Sequence, residues 1–523
     1  MEKTLTPLSL IPYPQKVERL SGAFIWNPSV KIFPGEFGNE VALFLTGLPV
    51  EIRASLVDSE FSTQIKINID QELAQEAYQL KILSQEMSIT ACDEVGVFYA
   101  LQTLRQLIMA EYQIGSSQIE IPAVHIMDAP CFLWRGFMLD EARHFQGMQT
   151  VKDLLDWMAY FKMNVFHWHL TEDQGWRIEI KHYPRLIEVW AHRSASQVSG
   201  FLGKKLNTLP HSGFYTQQEI KEIVDYASAR HIQVVPEIEM PGHAQAALAA
   251  YPLLGCTGGP YNVSPHWGIH ADIMCPGKST TYEFLQNVLG EVIDLFPGQY
   301  IHTGGDEAPK KRWKTCPDCQ NLANKTNVQR INDLQTILTN QVSQFLKSHG
   351  RTLIGWNEML ADGLDRDAVV QYWVGKEKTV MKHIRAGRKA ILSNFAAYYL
   401  DHSYAHSSLD KVYQYEPVFN QLESQYHPNI LGIETPLWTE FVPSRTRLDW
   451  QIFPRLLAAA ETAWLQPEKK NLASFQQRLA VLLTQLDAKN IGYAELSDAN
   501  PPVHNRFFGA ISLIQAGKGQ RED

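Results

Sequence analysis

Asp306 and Glu307 are adjacent carboxylates at the end of Tyr300-Ile301-His302-Thr303-Gly304-Gly305-Asp306-Glu307, and acids in such a pair can donate a proton, take one back, or face a developing positive charge. The apolar lead-in reads as a buried strand, and Gly304 and Gly305 remove side-chain bulk where backbone or ligand must come close. A strict strand sends neighbouring side chains to opposite faces. Two adjacent acids can therefore serve one ligand only where the strand ends and its backbone turns.

The strand that carries them is one of eight apolar runs: Gly136 to Leu139, Val165 to Leu170, Ile232 to Ile238, Tyr300 to Thr303, Thr352 to Trp356, Val369 to Trp373, Ala390 to Asn394 and Ile430 to Glu434. Helices lie between several of them, two announced by capping-box spacing, Thr216 with Glu219 and Thr280 with Glu283. Alternating strands and helices in this number predict an α/β fold, a (β/α)8 TIM barrel over residues 129–523 that ends in helices. Ahead of it, residues 1–128 predict a small α+β domain. Its strands lie near Val30 to Phe33, Gln64 to Asp70, Tyr78 to Leu83 and Met87 to Ala91, with a Ser84-Gln85-Glu86 hairpin turn and a helix from about Glu94 to Ala110. Asp128-Ala129-Pro130 marks the boundary.

In a (β/α)8 barrel the residues just after the strands form the site. Those residues are Asp140 and Arg143, Asp173 and Trp176, Glu239 and His243, Asp306 and Glu307, Trp356, Trp373, Tyr399 and Asp401, and Trp438 and Glu440. Carboxylates, one Arg, one His and several aromatics on one rim match a carbohydrate, whose apolar ring faces stack on aromatics and whose hydroxyls take charge-assisted hydrogen bonds.

The 523 residues are 45% hydrophobic and 20% charged, with a net charge of −9, a pI near 6.1 and a mean hydropathy of −0.22. That balance is an ordinary globular one and speaks against nucleic acid and acidic polymers as partners. Met1 to Pro14 holds neither a signal-like apolar run nor a membrane span, so the chain as written reads as cytoplasmic, with export after removal of a signal as the alternative. Cys316 and Cys319 form C-P-D-C, but no second C-x-x-C completes a four-thiolate site, and Cys256 and Cys275 bracket a Gly-rich loop where they could pair. Neither metal nor cofactor is expected.

These motifs resemble the family 20 glycoside hydrolases, the β-N-acetylhexosaminidases. The resemblance runs from Leu10-Ile11-Pro12-Tyr13-Pro14 through Trp134 to Asp140 with Arg143-His144-Phe145, His167 to Arg177, Pro236 to His243, and His302 to Glu307. It implies hydrolysis of terminal β-linked N-acetylhexosamines from a glycan. By it Glu307 is the general acid and base, and Asp306 orients and stabilises the substrate's own acetamido group. Arg143, Asp401 and Glu440 hold hydroxyls, Trp356, Trp373 and Trp438 wall the pocket, and Tyr399 meets the acetamido carbonyl. Asp173 and His243 stand behind the acid. Glu172 departs from the Asp common in the family's paired-acid motif, which leaves Asp173 as the residue carried over. Two rival readings are a metallohydrolase built on His167-x-His169 and a sugar-binding module without catalysis; the presence of both Asp306 and Glu307 speaks against the second.

Overall fold

The computed structural model describes residues 6–189, 191–200 and 203–502. Residues 1–5 of the N-terminal stretch and 503–523 of the expected helical end lie outside them.

Seven strands form the first sheet: β1 (Lys16–Trp26), β2 (Lys31–Ile32), β3 (Ser55–Leu56), β4 (Ile65–Ile69), β5 (Tyr78–Ile82), β6 (Met87–Ala91) and β7 (Ile119–Asp128), in the order β1-β7-β5-β6-β4-β2-β3. The turn at Ser84 to Glu86 joins β5 to β6 as an antiparallel hairpin, Ile82 opposite Met87. β1, the two-residue exposed β3 and β7 are additions to the expected strands; of the two long ones the reason is visible. β1 is mostly exposed along its length, and β7 carries Pro122 inside it, so neither shows the clean alternation that marks a half-buried strand. Helix Glu94–Glu111 packs its buried face on this sheet, with the Asp93 side chain accepting from Gly96 N–H at its start.

The barrel is closed by β8 (Trp134–Asp140) and β9 (Val165–His169). Two short hairpins follow, β10 (Thr171–Glu172) with β11 (Gly175–Trp176) and β12 (His192–Arg193) with β13 (His211–Ser212). The circle continues with β14 (Gln233–Glu237), β15 (Tyr300–His302), β16 (Thr352–Trp356), β17 (Val369–Tyr372), β18 (Ala390–Leu392) and β19 (Ile430–Leu437), and β19 pairs back with β8 in parallel register, Gly432 to Trp134 and Leu437 to Leu139. The capping box at Thr216 and Glu219 forms. The one expected at Thr280 and Glu283 does not: that helix starts at Ser279, after Lys278, which offers no side-chain cap.

Period-two alternation stacks the barrel interior in layers. Trp134, Val165, Val235, Ile354, Val369 and Ile391 plug the bottom. Two residues on, His167, Glu237, Trp356 and Gln371 face the axis, with His302 and Glu434 from β15 and β19. Here Glu237 meets His302 Nδ1 at 2.7 Å, His167 Nε2 at 3.1 Å and His169 Nδ1. Glu434 meets His167 Nδ1 at 2.7 Å and accepts from Gln371 Nε2 at 2.7 Å and Trp134 Nε1 at 3.0 Å. Gly136 leaves the room, since a Cβ there would lie 2.6 Å from Glu434 Oε2. The third layer opens onto the rim.

Asp128, at the end of β7, joins the two units. Its carboxylate receives Tyr78 OH at 2.6 Å, Lys162 Nζ at 3.2 Å and Trp464 Nε1 at 2.9 Å, all buried.

Candidate active site

The strand ends bring Arg143, Asp173, His243, Asp306, Glu307 and Glu440 close together, but not Trp176, which is buried beside Phe284 with its Nε1 donating to Ile178 O at 2.7 Å. β15 stops at His302, and Gly304 and Gly305 turn the chain with φ of 62° and 96°. A Cβ on Gly304 would stand 1.7 Å from Glu239 Oε2, so glycine is required there by space as well as by conformation. Glu307 follows at φ 40°, and His243, facing it from the end of β14, at φ 48°. Both are left-handed conformations that non-glycine residues adopt at a cost, and such strain gathers at functional sites.

His243 bridges two acid pairs. Its Nε2 lies 3.6 Å from Asp306 Oδ2 and 3.8 Å from Glu307 Oε2, and its Nδ1 lies 3.0 Å from Glu172 Oε1 and 3.3 Å from Asp173 Oδ2. Asp306 is the deeper of the front pair: its side chain is 12% exposed against 32% for Glu307. Burial raises the Asp306 carboxyl to about 6; the His243 imidazole opposes the rise and the nearby acids Glu358, Glu237 and Glu172 add to it. Burial also raises Glu307, again against His243 and with Asp306. Glu239, wedged behind Gly304 with neither carboxylate oxygen hydrogen-bonded, is raised well above its ordinary value by burial and by Asp306 and Glu237. Carboxyls kept protonated near neutrality can act as acids.

Glu172 joins the expected Asp173 at His243 Nδ1. The hairpin β10–β11 points its carboxylate at both His243 and the Arg143 guanidinium, and Asp173 lies behind, accepting from Gln245 N–H at 2.9 Å. Arg143, buried, also reaches Asp140 Oδ2 at 3.4 Å and Gln174 Oε1 at 3.2 Å, and lies 4.8 Å over the Trp438 ring. Three of its five N–H groups are so engaged, leaving donors for a ligand. Glu440 stands beside it, and Asp401 beside Glu440. Burial and the Glu440 carboxylate push Asp401 up to about 8, and burial raises Glu440 against the pull of Arg143.

The aromatics form a continuous wall. Trp356 meets Trp438 at 5.9 Å, Trp438 meets Tyr399 at 6.4 Å, and Tyr399 stacks on Trp373 at 5.9 Å and 24°. Trp356 is anchored from below by its Nε1, 2.9 Å from Glu237 Oε1. Trp373 donates to both oxygens of Glu358, at 3.0 and 2.9 Å. Glu358 was not anticipated; burial pushes it up to about 7, and Lys310, also unanticipated, faces it and Asp306. Glu358 sits two residues past a strand end, so counting on from Trp356 was the available signal. The His167-x-His169 pair holds carboxylates from neighbouring strands: burial would depress His167, but Glu434 and Glu237 outweigh it and push it up to about 10.

The four cysteines Cys256, Cys275, Cys316 and Cys319 converge at one point, and all six cysteines are free, so Cys256 and Cys275 are not a disulfide. No helix among the described residues is long and apolar enough to cross a membrane.

The model of the glycosyl hydrolase family 20 catalytic domain matches residues 132–467, and that of family 20 domain 2 matches residues 8–129. A Porphyromonas gingivalis protein named beta-hexosaminidase is 40% identical over 435 residues, 80% of this chain and 55% of that protein, so the matched stretch spans about half its length. A Vibrio furnissii beta-hexosaminidase is 34% identical over 87% of this chain and 76% of its own. Among solved structures, a family 20 exo beta-N-acetylglucosaminidase from Vibrio harveyi, in complex with N-acetylglucosamine, superposes with a TM-score of 0.84 at 29% identity, covering 95% of this chain and 80% of that one.

Proposed function

Because the chain belongs to glycosyl hydrolase family 20 and is a glycoside hydrolase, we propose that it is a retaining exo-β-N-acetylhexosaminidase. It removes terminal non-reducing β-linked GlcNAc or GalNAc from glycans, with the substrate's acetamido oxygen as the nucleophile. The barrel from residue 129 carries the reaction and residues 1–128 form a separate supporting domain.

The observation that carries this reading is the placement of Asp306 and Glu307 at one strand end, both within 4 Å of the same His243 nitrogen. Retaining glycosidases of the two-carboxylate type set a nucleophile and an acid about 5 Å apart across the scissile bond, and this family is among the known exceptions that use the substrate instead. Carboxylates that share one imidazole lie side by side, an arrangement suited to serving two atoms of one sugar. In this scheme Glu307 protonates the leaving oxygen as the acetamido oxygen attacks the anomeric carbon. Asp306, as the anion, holds the acetamido N–H and faces the positive oxazolinium. Glu307 then takes a proton from the water that opens the ring, and the configuration is retained. His243, with Glu172 and Asp173 behind it, fixes the two front carboxylates. Arg143, Asp401 and Glu440 bind the far hydroxyls. Tyr399 meets the acetamido carbonyl, and Trp356, Trp373 and Trp438 enclose the ring and methyl, each aromatic contact adding about 0.5–1.5 kcal/mol beyond its buried area.

The test compares a β-N-acetylglucosaminide with the matching 2-hydroxyl glucoside and traps the enzyme with a 2-fluoro glycoside for mass spectrometry. Turnover of the acetamido substrate alone, with strong inhibition by a thiazoline mimic, is the expected result. A sugar bound covalently to Asp306 or Glu307, or comparable turnover of the 2-hydroxyl substrate, overturns the reading.

A further inference from the structure

Four cysteines from two distant segments meet at one point. Sγ of Cys275 lies 3.4 Å from that of Cys319 and 3.7 Å from that of Cys316, and Sγ of Cys256 lies 3.8 Å from that of Cys319. All four sulfurs fall within 4.8 Å of one another. A disulfide requires sulfurs about 2.0 Å apart. Four thiolates around one ion with metal–sulfur bonds of about 2.3 Å, by contrast, stand about 3.8 Å from each other along each edge of the tetrahedron. The observed spacings fit the second arrangement.

We propose that Cys256, Cys275, Cys316 and Cys319 bind one structural zinc ion as a closed tetrathiolate site.

The backbone is shaped for it on both sides. Gly255 and Met274 pair as an isolated antiparallel bridge, and Cys275 N–H donates to Leu254 O at 2.8 Å, which sets Cys256 and Cys275 side by side despite the 18 residues between them. Cys316 caps the helix Pro317–Thr326, and Cys319 lies three residues on, so the two thiols share one face at the helix's positive end. The two segments touch closely: a Cβ on Gly277 would lie 2.2 Å from the Asp318 carbonyl carbon, and Gly277 N–H points to Cys275 Sγ. Four thiolates and a divalent ion leave two negative charges, and cations stand nearby. Lys278 Nζ is held at Gly255 O, 2.7 Å away, and the Arg312 side chain is fixed by Asp272 at 2.7 Å. A set of four sulfurs with no open position selects a soft ion, and zinc brings no redox chemistry to a purely structural place.

The ion would tie two catalytic loops together. Cys256 and Cys275 belong to the connection after β14, which carries His243, and Cys316 and Cys319 to the connection after β15, which carries Asp306 and Glu307. Cys275, Cys316 and Cys319 share a small apolar core with Ala308, Trp313 and Ile273, apart from the main one. Trp313 Nε1 donates to Met274 O at 3.0 Å, and Met274 N–H to Pro241 O at 2.9 Å, so the clamp lies two contacts from the loop of His243.

Elemental analysis of purified full-length protein, with alkylation and peptide mapping, tests the proposal. The expected result is about one zinc per chain, with Cys92 alkylated without a chelator, Cys131 more slowly because burial pushes its thiol up to about 11, and the other four only after a strong chelator is added. Replacing zinc with Co2+ should give the intense visible bands of tetrahedral thiolate coordination. Cys256→Ser, at the one partly exposed position, should fold yet lose most of the metal, while Cys92→Ser keeps it. Two disulfides among the four, four alkylatable thiols with no metal, iron in place of zinc, or full zinc content in Cys256→Ser each overturns it.

Discussion

The barrel interior holds two polar networks a few ångströms apart, and they are built on opposite terms. In the floor, Glu237 and Glu434 face His167, His169, His302, Gln371, Trp134 and Trp356, so that each carboxylate is met by several donors. At the rim, Glu172, Asp173, Glu239, Asp306, Glu307, Glu358, Asp401 and Glu440 face chiefly Arg143, His243 and Lys310. The result is visible in the proton affinities: the floor carboxylates are lowered despite full burial, because their histidines outweigh it, whereas Asp306, Glu358 and Asp401 are raised. Charges that serve the fold are paired within it, and charges that serve a ligand are left for the ligand to complete.

Breaking the floor should therefore cost stability. Glu237→Gln leaves three imidazoles without their shared anion, and removal of one partner from a buried ionic cluster costs about 3–5 kcal/mol. Urea unfolding should show this as a lowered midpoint; an unchanged midpoint would mean that the floor does not hold the barrel. The next effect is at the rim and falls on rate. Glu307→Gln should unfold at the wild-type midpoint yet lose about a hundredfold or more in kcat on an alkyl glycoside, and much less on a nitrophenyl glycoside whose leaving oxygen hardly needs a proton. Equal losses on both substrates would deny Glu307 the proton.

A third test uses pH. Asp306, raised to about 6, must be ionised to face the oxazolinium, so kcat/KM should fall as pH drops through about 6. In Asp306→Asn the remaining activity should lack that acid limb; a limb that persists unchanged belongs to another group. The smallest effect has the opposite sign. Asp401 holds its proton up to about 8 in the folded state and releases it near 4 when unfolded, so its stabilising share is complete below about pH 4 and is lost as pH rises to about 8. Asp401→Asn should raise Tm modestly at pH 8 and not at pH 4, while weakening substrate binding. A lower Tm at pH 8 would place Asp401 with the paired charges of the floor.

The sequence carried the barrel well because its strands are short apolar runs that stop at the functional residues, as Tyr300 to Thr303 does before Asp306. It carried β1 and β7 poorly, since an exposed edge strand and one holding Pro122 lack a clean period. It hid what depends on convergence. Lys310 joins the rim through a loop of no fixed spacing, and Glu172 acts through a hairpin that turns it toward Arg143, whereas Glu358 stands two residues past the end of β16 and was open to a count from Trp356. The cysteines show the point most plainly: a search for a second C-x-x-C fails because Cys256 and Cys275 are brought together by one bridge between Gly255 and Met274.

Asp128 belongs by sequence to the first sheet, yet two of its partners, Lys162 and Trp464, belong to the barrel. Cutting the chain after it would strand the Lys162 ammonium in an apolar seam beneath the barrel, where burial already pulls its proton affinity down to about 8 even with Asp128 beside it. The two units thus share a buried charge pair, although Asp306 and Glu307 stand in only one of them. Grafting the barrel onto a foreign N-terminal module would need a new acid at this seam, or an apolar residue in place of Lys162, before the excised piece could stand alone.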